Sequence, residues 1–392
     1  MPKQILCLLI LFPFLAFNQS YQKFHKDAIV IDTHNDVLST VTMKGLNIDN
    51  DLTGKSHSDI NRFKKGGIDI QVFSIFCDER FGKDTAFKFA NIEIDSLYSI
   101  VNRNRNKMMI VTDPKQLYQA LKERKLGCMM GVEGGHMIED QLENLDKLYL
   151  RGARYMTLTW NNSTSWASSA SDETTDTFHN EKKGLNEFGK QVVKRMNQLG
   201  MMIDLSHVGE KTFWDAINTT TKPVIVSHSC VYNLCPVFRN LKDEQIKAVG
   251  KNGGVIHVNF YSGFIDSNYA GRKNVFLKRH SIETDSLKHS NLASYEIEEW
   301  ISKKYAAEAD SLRPPLSILL DHIDYIVKLI GVDHVGLGSD FDGIESAPQT
   351  LDDVTTYPFI TKALFDRGYS RQDIKKILGE NFIRIFEANQ KH

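Results

Sequence analysis

The sequence predicts an α/β fold, a (β/α)8 barrel of the TIM type. Eight short runs rich in β-branched and apolar residues recur along the chain, and segments with helical periodicity separate most of them. Such alternation is typical of a parallel sheet covered by helices. The third observation is that several His, Asp and Glu residues follow directly on the ends of these runs, where barrel enzymes build their active sites.

Length and composition agree with this fold class. The chain has 392 residues, enough for one large barrel or two ordinary domains. Its 41% hydrophobic and 25% charged residues are typical of a soluble globular protein. The formal net charge of −1, with no basic cluster, argues against nucleic acid or an anionic membrane surface as a partner.

Residues 1–20 have the pattern of a secretory signal peptide. Lys3 precedes an apolar run from Ile5 to Phe17, which Pro13 interrupts and polar residues follow. The run is too short to span a bilayer, so we expect no membrane span in the mature form; an uncleaved anchor is the alternative. We therefore expect export, to the periplasm or outside the cell, and a single barrel domain formed by residues 21–392.

The predicted strands share apolar or β-branched runs bounded by turn residues. They are 29–36, 67–76, 126–132, 153–160, 200–206, 223–227, 254–261 and 334–339. The predicted helices are 85–106, 113–125, 139–151, 185–199, 210–218, 242–251, 351–367 and 371–387.

Two segments depart from the alternation. Residues 38–66 are polar and turn-rich with little periodicity, so no regular element is predicted there. Residues 262–315 interrupt the chain between the seventh and eighth strands; they are rich in Lys, Glu, Ser and Asn, with helical patches near 295–308. We interpret 262–315 as an insertion that either covers the barrel mouth as a lid or extends over the flank.

The polar residues at the strand ends are of metal-ligand types. In the first strand, His34 and Asp36 are two residues apart, so their side chains point to one face and can share an ion. The other candidates lie at the ends of later strands: Glu133, His207, His228 and Asp340. A single histidine at a strand end is more often structural than a ligand, but this set at one barrel mouth favours a metal site.

Three histidines and three carboxylates exceed the needs of one zinc ion. Two ions roughly 3.5–4 Å apart, bridged by the two oxygens of Glu133, would use the whole set. His34 and Asp36 would then hold one ion and His207 and His228 the other. Asp340 would ligate weakly and accept a proton from a water molecule held between the ions.

Four cysteines follow the apolar leader: Cys77, Cys128, Cys230 and Cys235. They form no Cys-x-x-Cys pair, so a structural zinc site is not expected. Isolated buried thiols are the favoured interpretation, and a disulfide between Cys230 and Cys235 is the alternative.

Several ordered motifs resemble one known family. They are His34-Asn35-Asp36, 131–136 (GVEGGH), 154–159 (RYMTLT), 203–208 (IDLSHV), Ser227-His228-Ser229, Arg239-Asn240, Asn259-Phe260-Tyr261 and 338–343 (GSDFDG). From about Ile29 to Ala388, excluding the insertion, the chain is similar to the renal (membrane) dipeptidase family of zinc peptidases. The resemblance implies a barrel hydrolase with two zinc ions that cleaves free dipeptides, including those with a C-terminal D-residue.

The resemblance also implies roles by position. It implies that His34 and Asp36 bind the first zinc ion, that Glu133 bridges, and that Asp340 is the acid-base residue. Arg239 matches the arginine that binds the substrate carboxylate, and Tyr261 matches a substrate-side tyrosine.

His207 and His228 match the ligands of the second zinc ion. At position 160 the mammalian members have a histidine and this chain has Trp160. Either the substrate contact comes from Trp160 itself, from the neighbouring Asn161 or Asn162, or from a metal ion, or the substrate differs. The family resemblance further implies a homodimer.

The sequence therefore predicts a metallo-dipeptidase in which Asp340 and Glu133 are catalytic. A related amidohydrolase acting on N-acyl amino acids or lactones is the alternative within the same fold. A metal-binding surface domain without catalysis is the alternative outside enzymes, and the complete ligand set argues against it.

Overall fold

Parallel strands form a nearly closed barrel in the computed structural model, which describes residues 21–82, 84–175, 183–290 and 292–390. The strands are β1 Ile31–Asn35, β2 Ile70–Phe76, β3 Met108–Ile110, β4 Leu126–Glu133, β5 Ala153–Thr157, β6 Met202–Asp204, β7 Ile225–Ser229, β8 Val255–Val258 and β9 Val335–Leu337. The predicted signal peptide lies outside the described residues.

Eight strands follow one another around the barrel in the order β1-β2-β4-β5-β6-β7-β8-β9. The longest ladder joins β2 to β4, from Ile70 opposite Gly127 to Phe76 opposite Glu133. Beyond β9 the ring is completed by backbone bonds: Asp340 N donates to His34 O at 3.0 Å, and Asp36 N donates to Phe341 O at 2.9 Å. The predicted (β/α)8 barrel is confirmed.

The short strand β3 was not predicted from the sequence. It pairs with the first half of β4, Leu126 to Cys128, while β5 pairs with the second half. Three residues carry too little periodicity to identify a strand. This segment forms a strand because the free edge of β4 offers it backbone partners.

Helices follow most strands and cover the barrel. The helices between β1 and β8 are Val37–Met43, Ile60–Gly66, Ala86–Arg103, Pro114–Glu123, Leu142–Leu150, Ala170–Glu173, Glu187–Leu199, Glu210–Thr219 and Asp243–Asn252. The insertion contains Ser262–Ile265, Tyr269–Arg279, Ser281–Leu287, Ser294–Lys304 and Ala306–Asp310, and Leu316–Ile330 leads into β9. The last helices are Tyr357–Asp366, Arg371–Lys375 and Asn381–Gln390, with a π-helical turn at Lys376–Glu380.

The interpretation of 38–66 as irregular was wrong, because the helix Ile60–Gly66 and most of the helix Val37–Met43 lie within it. The side chain of Asp59 accepts hydrogen bonds from the backbone of Asn61 and Arg62, and Gly67 ends the helix at φ 74°. An aspartate cap and a left-handed glycine were therefore the available sequence signals. Seven residues are too few for a stable helix alone, so packing on the barrel holds it.

The barrel interior below the candidate ligands is apolar. Inward-facing residues of the strands, among them Ile70, Met129 and Ile225, pack on Phe382 and Phe386 of the last helix. A fully buried phenylalanine contributes about 1.5–3 kcal/mol, so this plug stabilises the N-terminal end of the barrel. The polar ligand candidates lie at the opposite, C-terminal end of the barrel.

The insertion contacts residues in the loops that follow β2 and β8. Tyr295 of this segment donates to Asp78 Oδ2 in the loop after β2 at 2.8 Å, and Lys273 donates to Tyr261 Oη after β8 at 2.8 Å. Phe276, Ile297 and Ile301 form a small apolar cluster within the insertion.

The four cysteines are buried and free, which confirms the interpretation as isolated thiols. Within the described ranges, no helix combines the length and apolar character needed to cross a membrane.

Candidate metal centre

Six side chains converge at the C-terminal ends of the strands. Each follows or ends an apolar run, because all barrel strands run in one direction and deliver their last residues to one rim. They are His34 from β1, Asp36 directly after β1, Glu133 from β4, His207 after β6, His228 from β7 and Asp340 after β9. The structure thus brings together all six ligand candidates predicted from the sequence.

Glu133 lies at the centre of the cluster, and its two oxygens face different histidines. Oε1 lies 2.9 Å from His207 Nε2 and 3.5 Å from His228 Nε2. Oε2 lies 3.4 Å from His34 Nε2. The arrangement has two sides joined by one carboxylate, as a bridge between two cations requires.

The side on which His34 lies also contains two aspartates. His34 Nε2 is 3.5 Å from Asp36 Oδ2 and 4.0 Å from Asp340 Oδ1. On the other side, the Nε2 atoms of His207 and His228 lie 2.9 Å apart. The side chains of Asp36 and Glu133 are 7% and 5% exposed, so the carboxylates lie close together away from bulk water.

The outer nitrogen of His34 is held by a tyrosine. Tyr155 Oη donates to Thr33 O at 3.0 Å, and its oxygen therefore accepts from His34 Nδ1–H at 2.8 Å. This bond keeps a proton on Nδ1 and directs Nε2 at the centre.

The outer nitrogen of His228 is held by a hydroxyl and a buried carboxylate. Ser227 Oγ donates to Asp204 Oδ2 at 2.5 Å and lies 2.8 Å from His228 Nδ1. Since the hydroxyl proton is directed to Asp204, the serine oxygen accepts from His228 Nδ1–H. Nε2 of His228 is thereby free to bind an ion.

Asp32, in β1, has a corresponding role on the opposite side of the barrel from Asp204, below the same rim. Its Oδ1 accepts from Ser339 N at 2.9 Å, and its Oδ2 accepts from Ser339 Oγ at 2.6 Å. Ser339 immediately precedes Asp340, so this bond fixes the segment that carries the last ligand candidate.

Two residues of the centre have strained backbone. His207 and Asp340 have φ of 64° and 62°, in the left-handed region that side-chain-bearing residues rarely adopt. Such conformations cost about 1–3 kcal/mol each and are concentrated at functional sites. Both residues lie three positions after the ends of their strands, β6 and β9.

The electrostatics of the centre favour positive charge near His34. Burial opposes charge on His34, but Tyr155, Glu133 and Asp36 outweigh burial and hold its pKa well above the ordinary value. Burial alone would raise the pKa of Glu133, yet His34 and His207 hold it well below its ordinary value. Burial lowers the pKa of His207 to about 4 and that of His228 well below its usual range, so both are neutral ligands.

Burial, reinforced by the charges of Asp36 and Glu133, raises the pKa of Asp340 well above its ordinary value. Its Oδ2 accepts from Asn259 Nδ2 at 2.8 Å, which leaves Oδ1 facing the centre. The raised pKa makes Asp340 a stronger base than an ordinary aspartate, as a residue that accepts a proton from water requires.

The residues fit metal ions. His34 Nε2 and Asp36 Oδ1 are buried atoms that lack a hydrogen-bond partner among the described residues. A Cβ on Gly343 would lie 2.3 Å from Asp36 Oδ2 and 2.8 Å from Asp340 Oδ1, so the glycine keeps this space open. Imidazole nitrogens with carboxylate oxygens are the donor set of zinc and related ions.

Arg239 lies beside this centre, 4% exposed. Its guanidinium donates to Ser229 Oγ at 3.2 Å and to His228 O at 3.3 Å, and it lies over the ring of Phe264. Within the described chain, no carboxylate approaches the guanidinium to within salt-bridge distance, and Nε has no partner.

The other predicted substrate residues have varied positions. Tyr261 Oη donates to Glu345 Oε1 at 2.7 Å and accepts from Lys273. Asn161 Oδ1 lies 3.0 Å from His207 Nδ1, where it orients that ligand. The ring of Trp160 lies 6.5 Å from the ring of His207.

Sequence reasoning did not assign the orienting roles of Tyr155, Ser227 and Asn259. Tyr155 and Ser227 lie within strands, where a polar residue in an otherwise apolar run was the available signal. Their partners are remote in sequence, so only the fold shows what each side chain holds.

Comparisons with known proteins agree with the site. The family model described as membrane dipeptidase (peptidase family M19) matches residues 18–392. An uncharacterized dipeptidase of Schizosaccharomyces pombe is 30% identical over 391 residues, covering 95% of this chain and 83% of the relative.

Solved structures share the fold. The probable dipeptidase PvdM from Pseudomonas aeruginosa aligns with a TM-score of 0.78 and 25% identity, covering 95% of this chain and 98% of that one. A metallo peptidase from Rhodobacter sphaeroides, liganded with a phosphinate mimic of the dipeptide L-Ala-D-Ala, aligns with a TM-score of 0.75 and 22% identity over 92% and 99% of the two chains. The chain therefore belongs to the membrane dipeptidase family, peptidase family M19, and is a metal-dependent hydrolase of peptide bonds.

Proposed function

We propose that this protein is a zinc dipeptidase with two ions per chain, cleaving free dipeptides that include those with a C-terminal D-residue. The observation that carries the proposal is the position of Glu133, whose two oxygens face two separate groups of ligand atoms. The L-Ala-D-Ala mimic bound by the Rhodobacter sphaeroides peptidase supports the D-residue.

The chain offers ligands for both ions. His34, Asp36 and one oxygen of Glu133 would hold the first, with Asp340 at its edge; His207, His228 and the other oxygen would hold the second. When bound, zinc would supply Lewis-acid polarisation of the peptide carbonyl and activate water as the nucleophile.

Arg239 selects for a free C-terminus. A buried guanidinium without a carboxylate partner carries a desolvation cost that a bound carboxylate would offset. Its planar fork matches the two oxygens of a terminal carboxylate. Anchoring of that carboxylate next to the scissile bond would limit the substrate to one residue after the bond, as in a dipeptide.

Asp340 moves the proton. Its Oδ1 faces the centre, so it can accept a proton as the oxygen of water forms a bond to the peptide carbon. The same proton passes to the amide nitrogen as the C–N bond breaks, and the C-terminal amino acid leaves as an amine. Asn259 donates a hydrogen bond to the other oxygen and so fixes the orientation of the Asp340 carboxylate.

The test is Glu133→Gln. The amide keeps the shape but removes the charge and one acceptor, so we expect turnover to be abolished and bound zinc to fall below two ions per chain. Glu93→Gln is the control, because Glu93 is equally buried but bonds to Phe76 N instead of the ligand histidines. An active Glu133→Gln protein that retains both ions would refute the bridge.

Hydrolysis rates for one panel of substrates test the substrate class. The proposal predicts hydrolysis of L-L and L-D dipeptides and slow reaction of N-acetyl amino acids and lactones. Faster hydrolysis of N-acetyl amino acids or lactones than of dipeptides would establish the amidohydrolase alternative.

We also propose that the protein is exported after removal of residues 1–20 and that it forms a homodimer. The apolar leader of the sequence supports export, and family resemblance supports the dimer. N-terminal sequencing of the mature protein tests the first, and light scattering after size exclusion tests the second.

A further inference from the structure

Three aromatic side chains from distant segments meet beside the metal centre. The ring of Trp160, after β5, lies 5.0 Å from that of Phe76 at the end of β2, and 6.4 Å from that of Tyr295 in the insertion. Trp160 borders the centre directly, since its ring lies 6.5 Å from that of His207. We call Phe76, Trp160 and Tyr295 the aromatic wall.

The wall is held in place from behind. Tyr295 Oη donates to Asp78 Oδ2 at 2.8 Å, and Arg80 Nε donates to Asp78 Oδ1 at 2.9 Å. Phe76 N donates to the buried Glu93 at 2.7 Å. Because the hydroxyl of Tyr295 is already bonded, the wall contributes ring surface to the mouth.

The rings are incompletely covered by the protein. Tyr295 is 44% exposed, and Trp160 and Phe76 are half-buried. Exposed aromatic surface adjoining buried polar groups is typical of ligand sites, which combine apolar walls with a few convergent polar atoms.

The strand order shows which residues lie across the centre from the aromatic wall. In the ring of eight strands, β2 and β5 flank β4, and β4 lies opposite β8. Arg239 and Tyr261 follow β7 and β8, so they face the aromatic wall across the centre. A dipeptide anchored by its carboxylate at Arg239 therefore directs its first residue toward the wall.

We propose that the aromatic wall is the binding site for the first side chain of the dipeptide and selects large apolar side chains there. The inference rests on the proposed dipeptidase function and adds a substrate class to it: free dipeptides whose N-terminal residue is aromatic or large aliphatic. Removal of ring surface from water drives this selection, and steric fit limits it.

The experiment measures kcat/KM of zinc-loaded protein for Gly-Ala, Ala-Ala, Leu-Ala, Phe-Ala and the reversed Ala-Phe. We expect Phe-Ala and Leu-Ala to exceed Gly-Ala by about tenfold or more, a typical discrimination by an apolar pocket. Tyr295→Ala and Trp160→Ala should each reduce that preference about fivefold or more, chiefly through KM.

Two further variants separate ring contact from damage to the fold. Tyr295→Phe removes the bond to Asp78 but keeps the ring, so it should retain the preference. Trp300→Ala is the matched control, since Trp300 lies on the same helix and is 42% exposed beside Lys304. Trp300→Ala should leave kcat/KM unchanged for both Gly-Ala and Phe-Ala.

The outcomes are distinguishable. Equal rates for Gly-Ala and Phe-Ala, or wall variants that slow both alike, would overturn the subsite while leaving the dipeptidase intact. Wall variants that impair Ala-Phe but not Phe-Ala would overturn the orientation and with it the proposal. A zinc-loaded protein that hydrolyses none of the five dipeptides would overturn the dipeptidase function itself.

Discussion

Asp204→Asn tests how the buried network controls the metal centre. Asp204 is fully buried, and its Oδ1 accepts from the backbone of Ser206 at 3.1 Å and of Ser227 at 2.8 Å. Its Oδ2 accepts from the hydroxyls of Thr157 at 2.6 Å and Ser227 at 2.5 Å. Asparagine is nearly isosteric, but it replaces one acceptor by a donor.

The substitution should reverse a chain of hydrogen bonds. The two backbone N–H groups fix the carbonyl of asparagine at Oδ1, so its NH2 group faces the hydroxyls. Ser227 then accepts from the asparagine and directs its own proton to His228 Nδ1, which places the ring proton on Nε2. A protonated Nε2 offers no lone pair, so His228 no longer binds the second ion.

Asp204 orients a metal ligand without contacting the ion itself, and this sets the expected loss of metal affinity. Loss of an outer partner of a metal-ligating histidine typically lowers metal affinity 10–100-fold, or about 1.4–2.7 kcal/mol. We expect this loss at one of the two ions, with activity falling in parallel at limiting zinc and recovering in part at high zinc.

The assay is zinc titration against a chromogenic chelator, with activity followed in the same samples. Thr157→Val is the control, because it removes a hydroxyl from the same carboxylate without interrupting the path to His228. If Asp204→Asn retains wild-type affinity for both ions, or if Thr157→Val loses as much, the tautomer argument is wrong.

Three other perturbations have expected outcomes. Gly343→Ala places a methyl group 2.3 Å from Asp36 Oδ2 and should weaken metal binding in the same titration, whereas Gly271→Ala, which meets no atom within 4 Å, should not. Chelation of metal should lower the melting temperature, since an ion at 1,000 times its Kd stabilises the fold by about 4 kcal/mol; an unchanged melting temperature would refute metal binding to the folded state. Burial raises the pKa of Asp69, which accepts from Val30 N, to about 6, so its stabilising contribution is complete below about pH 4 and is lost as the pH rises through 6. Asp69→Asn should therefore gain up to about 3 kcal/mol over wild type between pH 4 and 7.5 in denaturant unfolding, and a pH-independent difference would contradict this.

The barrel and its ligand candidates could be predicted from local patterns. A run such as 29–36, apolar and then His-x-Asp, identifies a strand and a polar end at once. Because every strand of a parallel barrel points the same way, the ends of distant runs must meet, and this brings Glu133 to His34 and His207 without knowledge of any contact.

Local patterns did not identify elements that depend on neighbours. The strand β3 exists because β4 offers a free edge, and the helix Ile60–Gly66 is too short to form without packing. The composition of the insertion did not show which loops it contacts, and the bond from Tyr295 to Asp78 joins two segments that are remote in sequence.

The sequence by itself determined the fold class, the family and the identity of the ligand candidates, since periodicity and residue type are properties of short segments. Only the tertiary structure decided which nitrogen of His34 and His228 carries a proton, that no carboxylate among the described residues pairs with Arg239, and which aromatic rings lie beside the centre. Those features depend on pairs such as Asp204 with Ser227 and Trp160 with Tyr295, whose spacing along the chain has no relation to their distance in space.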